Sequence, residues 1–206
     1  MMRLIDCYLP VFKLVADFTH HQEDFENYDD FRQKCIVCLQ QARHEAEHKD
    51  ISDYEREMAF LATVVWLDET ILCSTKQYRQ RWRLDLLQRS YFQTSVGGEL
   101  FFTHLNELKE EHQQARQVFL FCLQSGFHGK YSTQQDRPAL AQLIEQQRRL
   151  CLPENWQTWP NNAEITPVYI TKRLLNVSVK SRFCLALFGI ASLYGSLLFL
   201  QAFYFL

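Results

Sequence analysis

The sequence predicts an all-α fold closed by one C-terminal membrane helix, and three observations predict it. The last 24 residues, Phe183 to Leu206, carry no charged side chain. The 182 residues before them hold only four glycines, at 97, 98, 126 and 129. No stretch alternates polar and apolar residues with period two between turn signals, as half-buried strands would.

Each element follows in order. Leu4 to about Phe18 reads as a first helix, with Pro10 as a kink or a boundary. Asp29 and Asp30 are candidate caps for a helix reaching about His48. Ser52, with Glu55 three residues later, forms a capping box for the next helix. That helix carries MAFLATVVWL at 58–67, apolar on nearly every side, so it is expected at the centre of the domain. Further helices are expected over about 83–92, 99–111, 114–125 and 138–150, the last with Asp136 at its N-cap and Pro138 in its first turn. The segment 151–167 holds three of the five prolines plus Trp156 and Trp159, and reads as a connector. From about Val168 a helix is expected to run into the membrane.

At the helical rise, the uncharged tail would be roughly 36 Å long, and a hydrocarbon core is about 30 Å thick. Lys172, Arg173, Lys180 and Arg182 precede it with no acid among them. The positive-inside rule therefore places residues 1–182 in the cytoplasm and 183–206 in the bilayer, in contact with lipid. The opening MMRLIDCYLPVFKLVADF has Asp6 early and spaced apolar positions, so it is not read as a signal peptide. Ala191 with Gly195, and Ser192 with Ser196, make small-xxx-small pairs on which a second membrane helix can pack closely. A net charge of −2 gives no support for nucleic acid as a partner. Seven cysteines at scattered spacings fit a reducing compartment.

His44-Glu45-Ala46-Glu47-His48 matches the H-E-x-x-H pattern of zinc hydrolases, in which two imidazoles hold a metal and a carboxylate activates water. The helical wheel opposes this. Phe31, Cys35, Cys38, Leu39 and Ala42 share one face, while His44 and His48 fall opposite, among Arg43, Glu47 and Lys49. A tail-anchored zinc hydrolase is kept only as a remote alternative. Cys35-Ile-Val-Cys38 has no second pair to complete a zinc site and reads as core. No Walker loop, G-x-S-x-G or glycine-rich turn after a strand is present, so no catalytic residue, metal or cofactor is assigned.

Four short blocks carry more information. Leu67-Asp68-Glu69-Thr70 closes the most apolar helix. Carboxylates there are costly unless paired or facing a cleft. The bland expectation pairs them with Arg79, Arg81 or Arg83; the functional one is an acidic cleft for a partner's basic group. Trp82 to Gln88 is the second block, Gly97-Gly98-Glu99-Leu100-Phe101-Phe102 the third, and Cys122 to Tyr131 (CLQSGFHGKY) the fourth. Gly126 suits a helix C-cap, and Gly129 permits another tight turn.

In this order, with the Asp6-Cys7-Tyr8-Leu9-Pro10 opening and the apolar tail, these blocks resemble the DotU/IcmH family, also called TssL in type VI secretion systems. The resemblance covers about residues 4–206. It implies two packed helical bundles in a hook-like cytoplasmic domain, anchored in the bacterial inner membrane. It also implies a non-enzymatic scaffold that binds an IcmF/TssM-type inner-membrane protein and recruits cytoplasmic baseplate subunits. Carried onto this chain, the partner-binding cleft would involve Asp68 and Glu69. A homodimer is a further expectation, and so is peptidoglycan attachment through another subunit. The homologous subunit of a type IVb secretion system is the nearest alternative.

Overall fold

The computed structural model describes residues 3–21, 25, 27–74 and 78–152. The expected membrane helix, the connector tryptophans and the candidate packing residues Ala191, Ser192, Gly195 and Ser196 lie outside the described residues. Among the described residues there is no strand, and no helix is long and apolar enough to cross a membrane.

Helix α1 spans Leu4–His20, and its buried positions Leu4, Cys7, Tyr8, Val11, Phe12, Val15 and Phe18 follow the helical period. Pro10 neither ends nor begins the helix: it lies inside it, exposed, while the buried stripe continues on either side. Helix α2 is Tyr28–Glu47. Its N-cap is Asn27, not Asp29 or Asp30; the Asn27 side chain accepts from the Asp29 N–H at 2.9 Å and the Asp30 N–H at 3.5 Å. The two acids sit in the first turn, where their charge favours the positive helix end.

Helix α3, Asp53–Cys73, is buried without interruption from Met58 to Asp68. It touches α1 and α2 and four later helices: α4 (Tyr78–Leu84), α5 (Leu87–Phe92), α6 (Gly97–Glu107) and α7 (Gln113–Gln124). A 3-10 turn at Gln134–Asp136 leads into α8, Arg137–Cys151, which packs on α7. One continuous apolar core runs from Leu4 to Leu140, with α3 packed against α1, α2, α4, α5, α6 and α7.

Helix ends in this fold are held by buried charges. The capping box at Ser52 is only half formed. The Ser52 hydroxyl accepts from the Glu55 N–H at 3.3 Å. The Glu55 carboxylate, 8% exposed, accepts from the Ser52 hydroxyl at 3.2 Å and from the N–H groups of Gln114 and Ala115 at 3.0 and 3.4 Å. It thus caps the start of α7 rather than its own helix. Arg116, 5% exposed, donates to the Leu108 and Lys109 carbonyls at 2.6 and 3.1 Å and to Gln147 at 2.8 Å. Its positive charge sits at the negative end of α6. This is why α6 stops at Glu107 rather than near Glu111. Asp136 occupies the N-cap position of α8, yet its carboxylate accepts from the Thr133 N–H and hydroxyl and holds the 3-10 turn. Ser52→Ala is expected to cost about 1 kcal/mol of stability. A denaturant titration followed by far-ultraviolet circular dichroism measures it.

Candidate functional site

The four sequence blocks meet at the C-terminal end of α3. Asp68 is 1% exposed and accepts three hydrogen bonds. Its Oδ1 takes the Trp82 indole N–H at 2.7 Å and the Leu87 N–H at 3.1 Å; its Oδ2 takes the Gln88 N–H at 2.8 Å. The expected single helix over 83–92 is in fact α4 and α5, broken at Asp85 and Leu86. The break has a cause: the Asp68 carboxylate holds the first N–H groups of α5 and starts that helix afresh. Arg32 lies nearby, ion-paired to Asp85 at 2.7 Å with its guanidinium 4.9 Å from the Trp82 ring centre. Burial pushes the Asp68 carboxyl up to about 6, against the opposing pull of the Gln88, Trp82 and Leu87 donors and Arg32.

Glu69, the next residue, reaches across to the fourth block. Its Oε1 accepts from the His128 N–H at 2.7 Å and its Oε2 from the Gly129 N–H at 2.9 Å. The His128 imidazole Nδ1 stands 3.9 Å from the same carboxylate. Burial raises the Glu69 carboxyl, with the two backbone donors and His128 opposing.

The glycines let these parts close on one another. A Cβ at Gly97 would lie 1.8 Å from Gln88 Oε1. Gly129 has φ +51°, and a Cβ there would meet Phe102 at 2.8 Å and the Gly98 carbonyl oxygen at 3.0 Å. Beneath this contact Phe101 packs on Phe127 with centroids 4.2 Å apart and on Phe119 at 4.6 Å, and Phe102 meets Tyr131 edge-on at 4.9 Å. Beside Glu69 a groove of about 340 Å³ opens, lined by Thr19, Glu69, Thr70, Cys73, Ser125 and His128 among others.

Asp68 and Glu69 therefore have separate jobs. The expected pairing with Arg79, Arg81 or Arg83 is not formed at Asp68; Arg81 instead meets Asp29 at 2.7 Å. Asp68 is spent on backbone and indole N–H groups inside the protein. Glu69, with its side chain 23% exposed, reaches the surface beside half-exposed His128. Sequence alone gives His128 only a place in a turn, and Arg32 no role at all, because both act through contacts distant in sequence.

His44 is exposed near the end of α2 and His48 is exposed at its C-cap, their rings 4.7 Å apart, with His44 3.5 Å from Glu47. Among the described residues no group of three or more His, Cys, Asp or Glu is placed to hold a metal ion. Cys35 is buried, Cys38 is partly buried, and burial pushes both thiols up, away from thiolate chemistry.

The fold has a solved counterpart. It is similar to the structure described as the cytoplasmic domain of TssL from Acinetobacter baumannii, with a TM-score of 0.64 and 24% sequence identity, covering 73% of this chain and 97% of that one. No curated protein matches the sequence. The sequence does match, over residues 3–203, the family described as "Type VI secretion system protein DotU". With that span including all four blocks that meet around Asp68 and Glu69, the chain belongs to the DotU family of type VI secretion system proteins.

Proposed function

We propose that this chain is a non-enzymatic scaffold subunit of a type VI secretion membrane complex, held in the bacterial inner membrane by residues 183–206. Its helical domain faces the cytoplasm. There it binds an IcmF/TssM-type protein and recruits baseplate subunits. The membrane helix packs through the small residues Ala191, Ser192, Gly195 and Ser196, against a partner or a second copy.

One observation carries the docking part of this reading. The corner around Glu69 joins the end of α3 to the loop that carries His128 and Gly129, and it leaves one partly exposed carboxylate on the edge of an open groove. Ligand grooves with a few converging polar groups are the default docking positions on a folded domain. Glu69 receives a basic group of a baseplate subunit, while buried Asp68 keeps the wall behind it in place.

The test separates charge from fold. Glu69→Gln removes the negative charge and keeps an acceptor for one of the two loop N–H groups, while its NH₂ faces the other. Recruitment of a fluorescent baseplate subunit to the cell membrane is expected to fall several-fold in cells carrying the variant. Its melting temperature should stay within a few degrees of wild type. Unchanged recruitment would remove Glu69 from the docking surface. Failure to fold would make the residue structural.

A further inference from the structure

A second, polar niche of about 320 Å³ lies between the end of α2, the start of α3 and α5, with Tyr8 of α1 in its wall. It shares no lining residue with the groove beside Glu69. Phe60, Tyr91 and Phe92 form its aromatic side, with Tyr91 edge-on to Phe60 at 5.1 Å. The Arg43 guanidinium lies over the Phe60 ring, 5.1 Å from its centre.

The charges of this niche are unevenly used. Arg56 donates to the Lys49 and Ile51 carbonyls and to Asp53. Glu47 is beside His44 at 3.5 Å. Glu57 is exposed on the rim. Arg43 has no carboxylate against it among the described residues and stands within electrostatic reach of both the Tyr8 and the Tyr91 hydroxyls. Tyr8 is wholly buried, and its hydroxyl has no hydrogen-bond partner. A buried hydroxyl left unpaired costs stability, and an acceptor entering the niche would satisfy it.

We propose that this niche binds a peptide carboxylate: Arg43 meets the charge, the Tyr8 and Tyr91 hydroxyls donate to it, and Phe60 and Phe92 take the apolar side chain next to it. A guanidinium fork and phenol donors match a carboxylate, and a cation already resting on an aromatic face is held ready for it. The acids Glu47, Asp53 and Glu57 at the rim limit the site to a single negative group and offer acceptors to the peptide's backbone N–H groups. An Asp or Glu side chain and a chain terminus both supply that chemistry.

Titration calorimetry on the full chain in detergent micelles tests this with three probes: acetyl-Leu-Asp-amide, acetyl-Leu-Asn-amide and the free acid acetyl-Leu-Gly. One or both acids should bind about tenfold or more tightly than the asparagine peptide, and the better acid identifies the source. Arg43→Gln should erase that preference. Tyr8→Phe should weaken the acid probe about threefold while leaving the melting temperature unchanged or higher. Equal affinity for all three probes, or an acid preference that survives Arg43→Gln, would overturn the proposal. A lower melting temperature for Tyr8→Phe would make its hydroxyl structural and overturn the part assigned to it.

Discussion

Asp68→Ala is expected to destabilise the domain by about 3 kcal/mol, among the largest effects of any single change here. The substitution strands three N–H donors, those of Trp82, Leu87 and Gln88, at a position that is 1% exposed. It also frees α5 from the end of α3. Asp68→Asn is milder, because its amide oxygen still serves Trp82 and Leu87, while its NH₂ then faces the Gln88 N–H.

The pH dependence separates the two. Burial raises the folded Asp68 carboxyl from 3.8 to about 6. The native state therefore binds this proton more tightly than the unfolded chain does. The stabilisation is fully present below the unfolded value and is lost as pH rises through the folded one. Relative to Asp68→Asn, which does not titrate, the wild type should lose up to about 3 kcal/mol between pH 4 and pH 7. Denaturant titrations of both proteins across that range measure the difference. A constant gap would mean that Asp68 ionises in the fold as freely as in water.

Gly129→Val is the second large effect, at about 3–5 kcal/mol. The backbone there has φ +51°, in the left-handed region that β-branched residues avoid. Any Cβ at this position meets Phe102 at 2.8 Å and Phe127 and the Gly98 carbonyl at 3.0 Å. The clash pushes the 126–131 loop away from α6, and its N–H groups away from Glu69. The variant should melt at a markedly lower temperature and lose baseplate recruitment as well. Gly126→Ala makes a useful contrast: that glycine also has positive φ, yet nothing lies within 4 Å of the added methyl. It should show the backbone cost alone, about 1 kcal/mol.

Much of the fold was legible because its signals are local. The run of 58–67, apolar but for Thr63, marks the central helix, and the structure buries every one of those residues. The period of Leu4, Cys7, Tyr8, Val11 and Val15 marks α1. Errors arise where a distant group decides. The break at Asp85 and Leu86 is imposed by a carboxylate on another helix. The early stop of α6 is set by Arg116. The cap at Asn27 is not legible in the sequence, because Asp29 and Asp30 are equally good capping residues and stand closer to the apolar stripe. The site was half legible. The four blocks could be named from sequence, but not that Asp68 would be sealed inside while Glu69 reached the surface.

Buried charges hold helix ends elsewhere in this fold as well. Glu55, Asp68 and Arg116 are each buried, and each serves backbone groups at a helix end. Such contacts satisfy orphan groups at helix termini that would otherwise be stranded in the core. A carboxylate on an apolar stripe is thus equally a sign of a helix junction.

The most direct measurement of the central claim is mass-spectrometric identification of what co-purifies with the full chain from bacterial membranes in mild detergent. The account predicts a large IcmF/TssM-type inner-membrane protein together with baseplate subunits of a type VI system, and loss of the baseplate subunits in Glu69→Gln. A chain that alkaline carbonate strips from the membrane, or one that purifies with no secretion component at all, would contradict it.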